Sequence, residues 1–315
     1  MIITKYLKIT VWSRFRLSHA TMPMKLASVE REYEKRERLK REDVRYLQEW
    51  LEKQPHIPEM LELEIILVLH ACKYSVEVTK ITIDNYYTMR AFSPEIFGGR
   101  DPVSAKNVLN NYYAAPLPKA AKDGSKVIFS KIRNTSADTY ALEDYLKYMD
   151  MVIRIILYEE GTLEGIIVVY DATGFGLSHL AKVSLVVVKK FLIFLQEALP
   201  VELRQLHFFN CGVAMEKLFA LMKPFIKKDL LDVIHLHSGA VATFLAKEDM
   251  PEEYGGSEES LAALHEKMSQ KVLSNMDFIV MDEKKVSDES KRLQKSTRVN
   301  DLFGIEGSFK KLDID

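Results

Sequence analysis

VVYDATGFGLSHL, residues 168–180, decides how this chain is read. An apolar run ends at Tyr170 and Asp171, two glycines follow at Gly174 and Gly176, and His179 opens another apolar stretch. Extended backward to GIIVVYD (165–171), the run has the length and β-branched content of a fully buried strand. A buried strand that passes through glycines into a helix is the repeating unit of an α/β sheet. The same kind of junction can carry a phosphate loop or an acid/base pair, so its chemistry is weighed separately below.

Outward from this junction the alternation continues. KVIFS (126–130), after the turn Asp123-Gly124, reads as a strand, as do QLHFFN (205–210) and the weaker DVIHLH (232–237). Helix-length segments lie between and after them at 140–159, 179–198, 214–222 and 257–275, which predicts an α/β sheet with helices against it. Upstream, Val44, Leu47, Trp50 and Leu51 recur at helical spacing, and helices follow at 60–72 and 76–91 with Ser75 as a cap. Residues 28–97 therefore read as an all-helical lobe that Gly98-Gly99 and Asp101-Pro102 separate from an α/β domain over 98–275. The last forty residues, 276–315, read as a polar tail.

Composition narrows the class. The 315 residues carry 44 basic and 45 acidic side chains, so no net field draws the protein to nucleic acid. The run SVEREYEKRERLKRED from Ser28 mixes both signs, as a solvated helix face does. Two distant cysteines, Cys72 and Cys211, suggest neither a disulfide framework nor a zinc site. The longest apolar run, VSLVVVKKFLIFL (183–195), is cut by Lys189 and Lys190 and falls short of the roughly 18–20 residues of a spanning helix. A soluble, cytoplasmic protein is expected. Residues 1–27 are basic and free of acids, which suits a disordered leader, with a mitochondrial transit peptide as the alternative.

Four features could carry chemistry. Gly174-Phe175-Gly176 lacks both the third glycine of a dinucleotide fingerprint and the Lys-Ser/Thr of a Walker loop, so a tight turn is the better reading. Asp171 and His179 could approach each other across the turn, yet no nucleophile elbow accompanies them; turn capping by both is favoured over catalysis. His235 and His237, two apart on a strand, share a face and could reach one metal ion, but no third ligand is evident nearby. Finally, VAMEKLFALMKPFIKKDLL (213–231) is an amphipathic, Phe- and Met-rich helix kinked by Pro224, suited either to ordinary core packing or to a lid over an apolar cavity.

The order of these pieces resembles the CRAL-TRIO (Sec14-like) lipid-binding family, in particular its tocopherol-transfer and retinaldehyde-binding branch as expanded in insects. Five stretches carry the resemblance: VLHACKYSVEVT (68–79), YDATGFGLSHL (170–180), LPVELRQLHFFN (199–210), MKPFIKKDLLDVIHLHSG (222–239) and LAKEDMPEEYGG (245–256). Together they span roughly 28–275 in order and spacing. The resemblance implies a helical lobe leading into a mixed sheet that floors an apolar pocket closed by a mobile gate helix. It implies no catalytic residue, no cofactor, no metal and no nucleic acid. It implies instead a monomer that carries a hydrophobic ligand (a retinoid, tocopherol, carotenoid or related lipid) and visits membranes transiently, with phosphoinositide as a candidate contact.

On that resemblance the pocket would be lined by Tyr145, Val152 and Ile156 of one helix and by Ile166 and Tyr170 of the central strand. Phe175, Leu177, Val183, Val187, Phe191, Phe194 and Leu195 would follow, then Leu206. The gate would add Val213, Met215, Leu218, Phe219, Met222, Phe225, Ile226 and Leu230. Arg204, Lys227 and Lys228 would meet headgroups. Relatives of the tocopherol-transfer type hold four basic residues near the gate; Arg204 matches one, whereas Glu202, Asp229 and Val233 occupy the others. Relatives also carry a proline near the gate entry, where this chain reads CGVAMEKLF after Asn210. The competing readings are a phosphoinositide- or phospholipid-regulated adaptor and an enzyme using Asp171 with His179.

Overall fold

A computed structural model describes residues 24–238 and 246–293. The basic leader therefore lies almost entirely outside the described residues. The helical lobe comprises α1 (Val29–Lys35), α2 (Arg41–Leu51), α3 (Glu62–Ala71) and α4 (Val76–Phe92), continued by α5 (Pro94–Phe97) and α6 (Pro102–Asn111). Caps explain several starts. Ser28 accepts from the Arg31 amide and Ser75 from that of Val78, and Asp101 accepts from the Val103 and Ser104 amides ahead of Pro102.

The α/β part runs β1 (Tyr112–Pro116), β2 (Lys126–Ile132), α7 (Leu142–Glu160), β3 (Ile166–Asp171), α8 (Leu177–Leu180), α9 (Leu185–Glu197), β4 (Leu203–Phe209), α10 (Val213–Met222), α11 (Lys228–Leu231), β5 (Ile234–Leu236), α12 (Leu261–Ser274) and α13 (Met276–Glu283). Among the described residues the strands form one mixed sheet in the order β1-β2-β3-β4-β5, with β1 antiparallel to β2 and the rest parallel. All six residues of β3 are buried, as expected of a central parallel strand covered on both faces.

Pairing fixes which residues share a face. Ile128, Ser130, Val168, Tyr170, Leu206, Phe208 and Ile234 lie on one side; Phe129, Val169, Gln205, His207, Phe209 and His235 lie on the other. Tyr145 of α7 reaches the first side, its hydroxyl 2.9 Å from Ser130 Oγ and its ring 5.3 Å from Tyr170. Tyr254 covers the second, 4.6 Å from the Phe129 ring. The outer edge of β1 is closed by side chains, since the Ala114 amide donates to His265 Nδ1 at 3.3 Å and Tyr148 Oη donates to the Ala114 carbonyl at 3.0 Å.

The structure departs from the sequence expectation in three places. β1 and α6 were not anticipated. Segment 179–198 is two helices, because Ser184 caps α9 separately. The expected polar tail begins with a packed helix: Met276, Phe278, Ile279 and Asp282 of α13 are buried.

That helix joins the two halves of the molecule. Arg90 of α4, fully buried, donates to the Asp282 carbonyl at 2.7 Å, to Asp282 Oδ2 at 3.2 Å and to the Lys285 carbonyl at 2.9 Å. Arg154 of α7 bonds the other carboxylate oxygen. Burial works against the charge of Asp282, but Arg154 and Arg90 outweigh it and hold this carboxyl below its ordinary range. Asp282→Ala should destabilise the fold by about 3–5 kcal/mol in urea denaturation, since two buried guanidinium groups lose their counter-charge. Lys291→Ala, whose partner Asp288 is exposed, should cost less than about 1 kcal/mol.

Candidate ligand-binding site

Between the sheet and the helices α7 and α9 lies a cavity of about 90 Å³. Its floor is Ile166 and Val168 of β3 with Leu203, Leu206 and Phe208 of β4; its walls are Tyr145, Met149, Asp150 and Ile153 of α7 and Phe191, Phe194, Leu195 and Leu199 from α9 and just beyond. Asp150 is the sole charged residue of that lining. Spacing by four along α7 turns Tyr145, Met149 and Ile153 onto the sheet. The volume is well below the roughly 300–1,000 Å³ of a typical small-molecule site, so a ligand of that size requires the walls to separate.

Of the residues anticipated from sequence, Tyr145, Ile166, Phe191, Phe194, Leu195 and Leu206 meet at this cavity. Tyr170 sits beside it, its ring 5.3 Å from Tyr145 and 6.0 Å from Phe208. Val152 and Ile156 do not line it; they share the sheet-facing stripe of α7 with Tyr145 and Met149 but are buried in the main core. Val187 packs instead against the helical lobe, with Ile83 and Tyr86. Phe175 turns to Tyr140 and His179, at 5.6 and 5.7 Å between ring centroids, and Val183 borders the main core. Leu177 and Val213 point to solvent, 55% and 59% exposed. Met149, Ile153, Val168, Leu199, Leu203, Phe208 and Asp150 line the cavity and were missed; the i, i+4 stripe from Tyr145 would have found the first two.

The segment 213–231 is broken rather than merely kinked. α10 ends at Met222, a single 3₁₀ turn covers Lys223–Phe225, and Ile226 is extended before α11. Pro224 has no amide to continue the helix. Met215, Leu218 and Leu230 are buried, Phe219, Met222 and Ile226 are half-buried, and Phe225 is exposed. Gln196 of α9 clasps the break, donating to the Phe225 carbonyl at 3.3 Å and accepting from the Lys227 amide at 2.6 Å. Thus α9 is a shared wall, with its aromatic residues on the cavity and its C-terminal end on the broken segment.

A wider, open depression of about 420 Å³ lies where α3 and α4 face α9, β4 and α11. Glu202, Asp229 and Val233, three of the positions where the resemblance implies basic residues, all line it, as do Glu197 and Lys227. The nearby cations are engaged: Lys227 pairs with Glu197, Lys73 with Glu202, and Arg204 with Glu202 at 3.1 Å and the Glu164 carbonyl. Lys228 is exposed.

Asp171 and His179 are not brought together as an acid/base pair. Asp171 accepts from the Thr173 amide and hydroxyl (3.0 and 2.7 Å), Asn210 Nδ2 (2.8 Å) and the Tyr254 hydroxyl (2.7 Å). Burial alone would raise this carboxyl, but those donors together hold it below its ordinary range. His179 Nδ1 accepts locally from the Gly176 amide at 3.1 Å. Gly174, at φ +90°, makes the turn.

The family model described as CRAL/TRIO domain matches residues 110–256, and one described as Pinta-like, UBA domain matches residues 36–114. The alpha-tocopherol transfer protein-like protein of Mus musculus is 26% identical over 221 residues, 68% of this chain and 64% of that protein. Clavesin-1 of Rattus norvegicus is 22% identical over 199 residues, 61% of this chain and 56% of that protein. The solved structure titled "Crystal structure of Sfh5" superposes with a TM-score of 0.42 at 12% identity, over 69% of this chain and 81% of that one. Residues 110–256 thus match the CRAL/TRIO domain, and all five strands of the mixed sheet described above lie within that stretch. The matches span less than two thirds of these curated relatives' own length. Among the described residues no helix is long and apolar enough to cross a membrane.

Of the expected pair, His235 lies on β5 opposite a third imidazole, His207 of β4, and His237 follows just beyond the end of the strand. The three form a stack rather than a chelate. His207 Nδ1 lies 3.0 Å from His237 Nε2, its Nε2 lies 2.8 Å from Gln205 Oε1, and its ring is 4.7 Å from that of His235. No set of three ligands converges among the described residues. Burial, then the neighbouring His235 and His237, push His207 down to about 3. The unfolded chain titrates this group near 6.5, so between those values protons favour unfolding, and stability falls as pH drops from about 6.5. Urea midpoints should therefore decline from pH 7 to pH 5, and His207→Gln should flatten that decline.

Proposed function

We propose that this protein binds a hydrophobic small molecule in the cavity between the sheet, α7 and α9, and delivers it to membranes. The observation that carries the reading is an apolar cavity, sealed on one side by well-buried strands and α7, whose other wall, α9, is tied to a broken and largely exposed segment. In this reading α10 and the turn Lys223–Phe225 act as the gate. Leu177, Leu185, Val186, Val213, Leu221 and Phe225, exposed on α8, α9, α10 and that turn, supply an apolar face for a bilayer interface. Lys217, Lys223 and Lys228 supply positive charge on the same segment.

A ligand that removes roughly 400 Å² of apolar surface from water gains about 10 kcal/mol at ~25 cal/mol per Å², before ordering costs are met. That margin suffices for carriage through water. No step requires a catalytic group: Asp171 is saturated with donors in an architectural role.

Native mass spectrometry of the purified protein with lipid extraction should return a stoichiometric hydrophobic ligand. A chain that emerges empty and takes up no fluorescent lipid would sink the reading. Leu221→Asp with Phe225→Asp should slow vesicle-to-vesicle transfer about tenfold or more, given the ~1.5–3 kcal/mol carried by each apolar side chain buried at the interface. Because carboxylates line the depression where the resemblance implies basic residues, adding phosphatidylinositol bisphosphate to acceptor vesicles should leave the transfer rate within about twofold of vesicles matched in charge with phosphatidylserine.

A further inference from the structure

We propose that Asp150 selects the cargo by accepting a hydrogen bond from a hydroxyl group on the bound molecule, so that the cavity prefers apolar alcohols. The inference rests on the carrier reading above and adds to it the class of ligand.

The cavity wall is hydrocarbon and aromatic except at Asp150 of α7 and at the Tyr145 hydroxyl, which is already engaged with Ser130 Oγ at 2.9 Å. One carboxylate oxygen, Oδ2, accepts from Arg100 Nη2 at 2.6 Å. The other accepts no hydrogen bond among the described residues, although Asp150 is only 9% exposed. Arg100, 1% exposed, also leaves its Nε without a partner among those residues. A buried ion pair with two unused hydrogen-bonding positions is a poor way to stabilise a fold. Apolar side chains of similar volume would do as well or better there. The pair is nevertheless held firmly in place, because Glu283 of α13 accepts from the Gly99 amide at 2.8 Å and from the Arg100 amide at 3.0 Å. A positioned but incompletely bonded carboxylate in an apolar cavity points to a partner that arrives with the ligand.

The chemistry of that partner follows from the acceptor. An ionised carboxylate accepts and does not donate. Esters, ethers and aldehydes offer it nothing, and a ligand carboxylate or phosphate would be repelled by it in a medium of low dielectric. A hydroxyl donates one hydrogen bond without bringing a charge into the cavity. Apart from the Tyr145 hydroxyl, which is paired with Ser130, the remaining lining is apolar and suits a molecule that is otherwise hydrocarbon.

The test uses the full chain and three matched pairs offered in phosphatidylcholine vesicles: octadecanol, retinol and cholesterol, each against its methyl ether. Uptake is read by chromatography of the protein fraction after the vesicles are sedimented. At least one skeleton should be taken up, with the alcohol favoured about tenfold or more, the scale of one hydrogen bond to a charged acceptor. Uptake of any skeleton with equal or greater preference for the ether overturns the assignment of Asp150 and leaves the carrier reading intact. Failure of all three skeletons overturns both. The double variant Arg100→Met, Asp150→Leu removes both charges together, so no lone buried ion remains. It should take up alcohol and ether equally while melting cooperatively, and an alcohol preference that survives in it counts against the proposal.

Discussion

The arrangement of the molecule depends on one short acidic segment at the end of α13. Asp282 divides its carboxylate between Arg90 of the helical lobe and Arg154 of the sheet-facing α7. Glu283, next in the chain, takes the Gly99 and Arg100 amides at the junction between lobe and sheet domain. Neither guanidinium can be solvated where it lies, so the lobe, the junction and α7 are fixed against a single element that contributes almost nothing to the sheet itself. Lys285 extends the arrangement, with Glu64 Oε1 and Oε2 each 2.8 Å away. α7 is thereby a fixed wall, and the cavity residues that it carries are fixed with it.

The opposite wall is held differently. The β1 edge is finished by His265 and Tyr148, both buried, whereas β5 is a three-residue strand with Leu236 partly exposed. The turn after α10 is tied to α9 by Gln196, by the exposed pair Lys227 with Glu197 and by Lys189 lying 5.9 Å over the Phe225 ring. Exposed pairs of this kind contribute about 0–1 kcal/mol, against several for the buried cluster. In the proposed carrier, that contrast makes α10 and the turn after it, rather than α7, the wall that yields.

Much of this was readable in the chain because local signals agreed with tertiary roles. GIIVVYD has no polar residue before Tyr170, and it proved to be the strand buried on both faces. Ser75 marked a helix start that the structure keeps. What escaped was set by partners rather than by local preference. YYAAP is a strand because β2 pairs with it and because His265 and Tyr148 satisfy its outer edge, not because Ala and Pro favour strands. Asp101-Pro102 was legible as a cap and first helical position but was read as a break. DFIVM within α13 is apolar, yet its burial follows from Arg90 and Arg154 reaching it across the sequence, which no window of neighbouring residues contains. For the site, periodicity gave the helix and its sheet-facing stripe but not where the cavity lies along it: Tyr145 lines the cavity, whereas Val152 and Ile156 of the same stripe are packed in the main core.

The histidines show how residue type can mislead while position does not. His235 lies on β5 and His237 just past its end, and His207 completes a trio that resembles a ligand set in composition alone. A metal site needs converging lone pairs, and here His207 and His237 direct ring nitrogens at each other while Gln205 takes the remaining nitrogen of His207. The same logic applies to Asp171, where four donors consume the acceptor capacity a general base would need. Asp150 is the contrasting case, for its carboxylate is only half used and faces a cavity otherwise without charge. What distinguishes a binding carboxylate from a structural one in this fold is the number of acceptor positions its neighbours leave open.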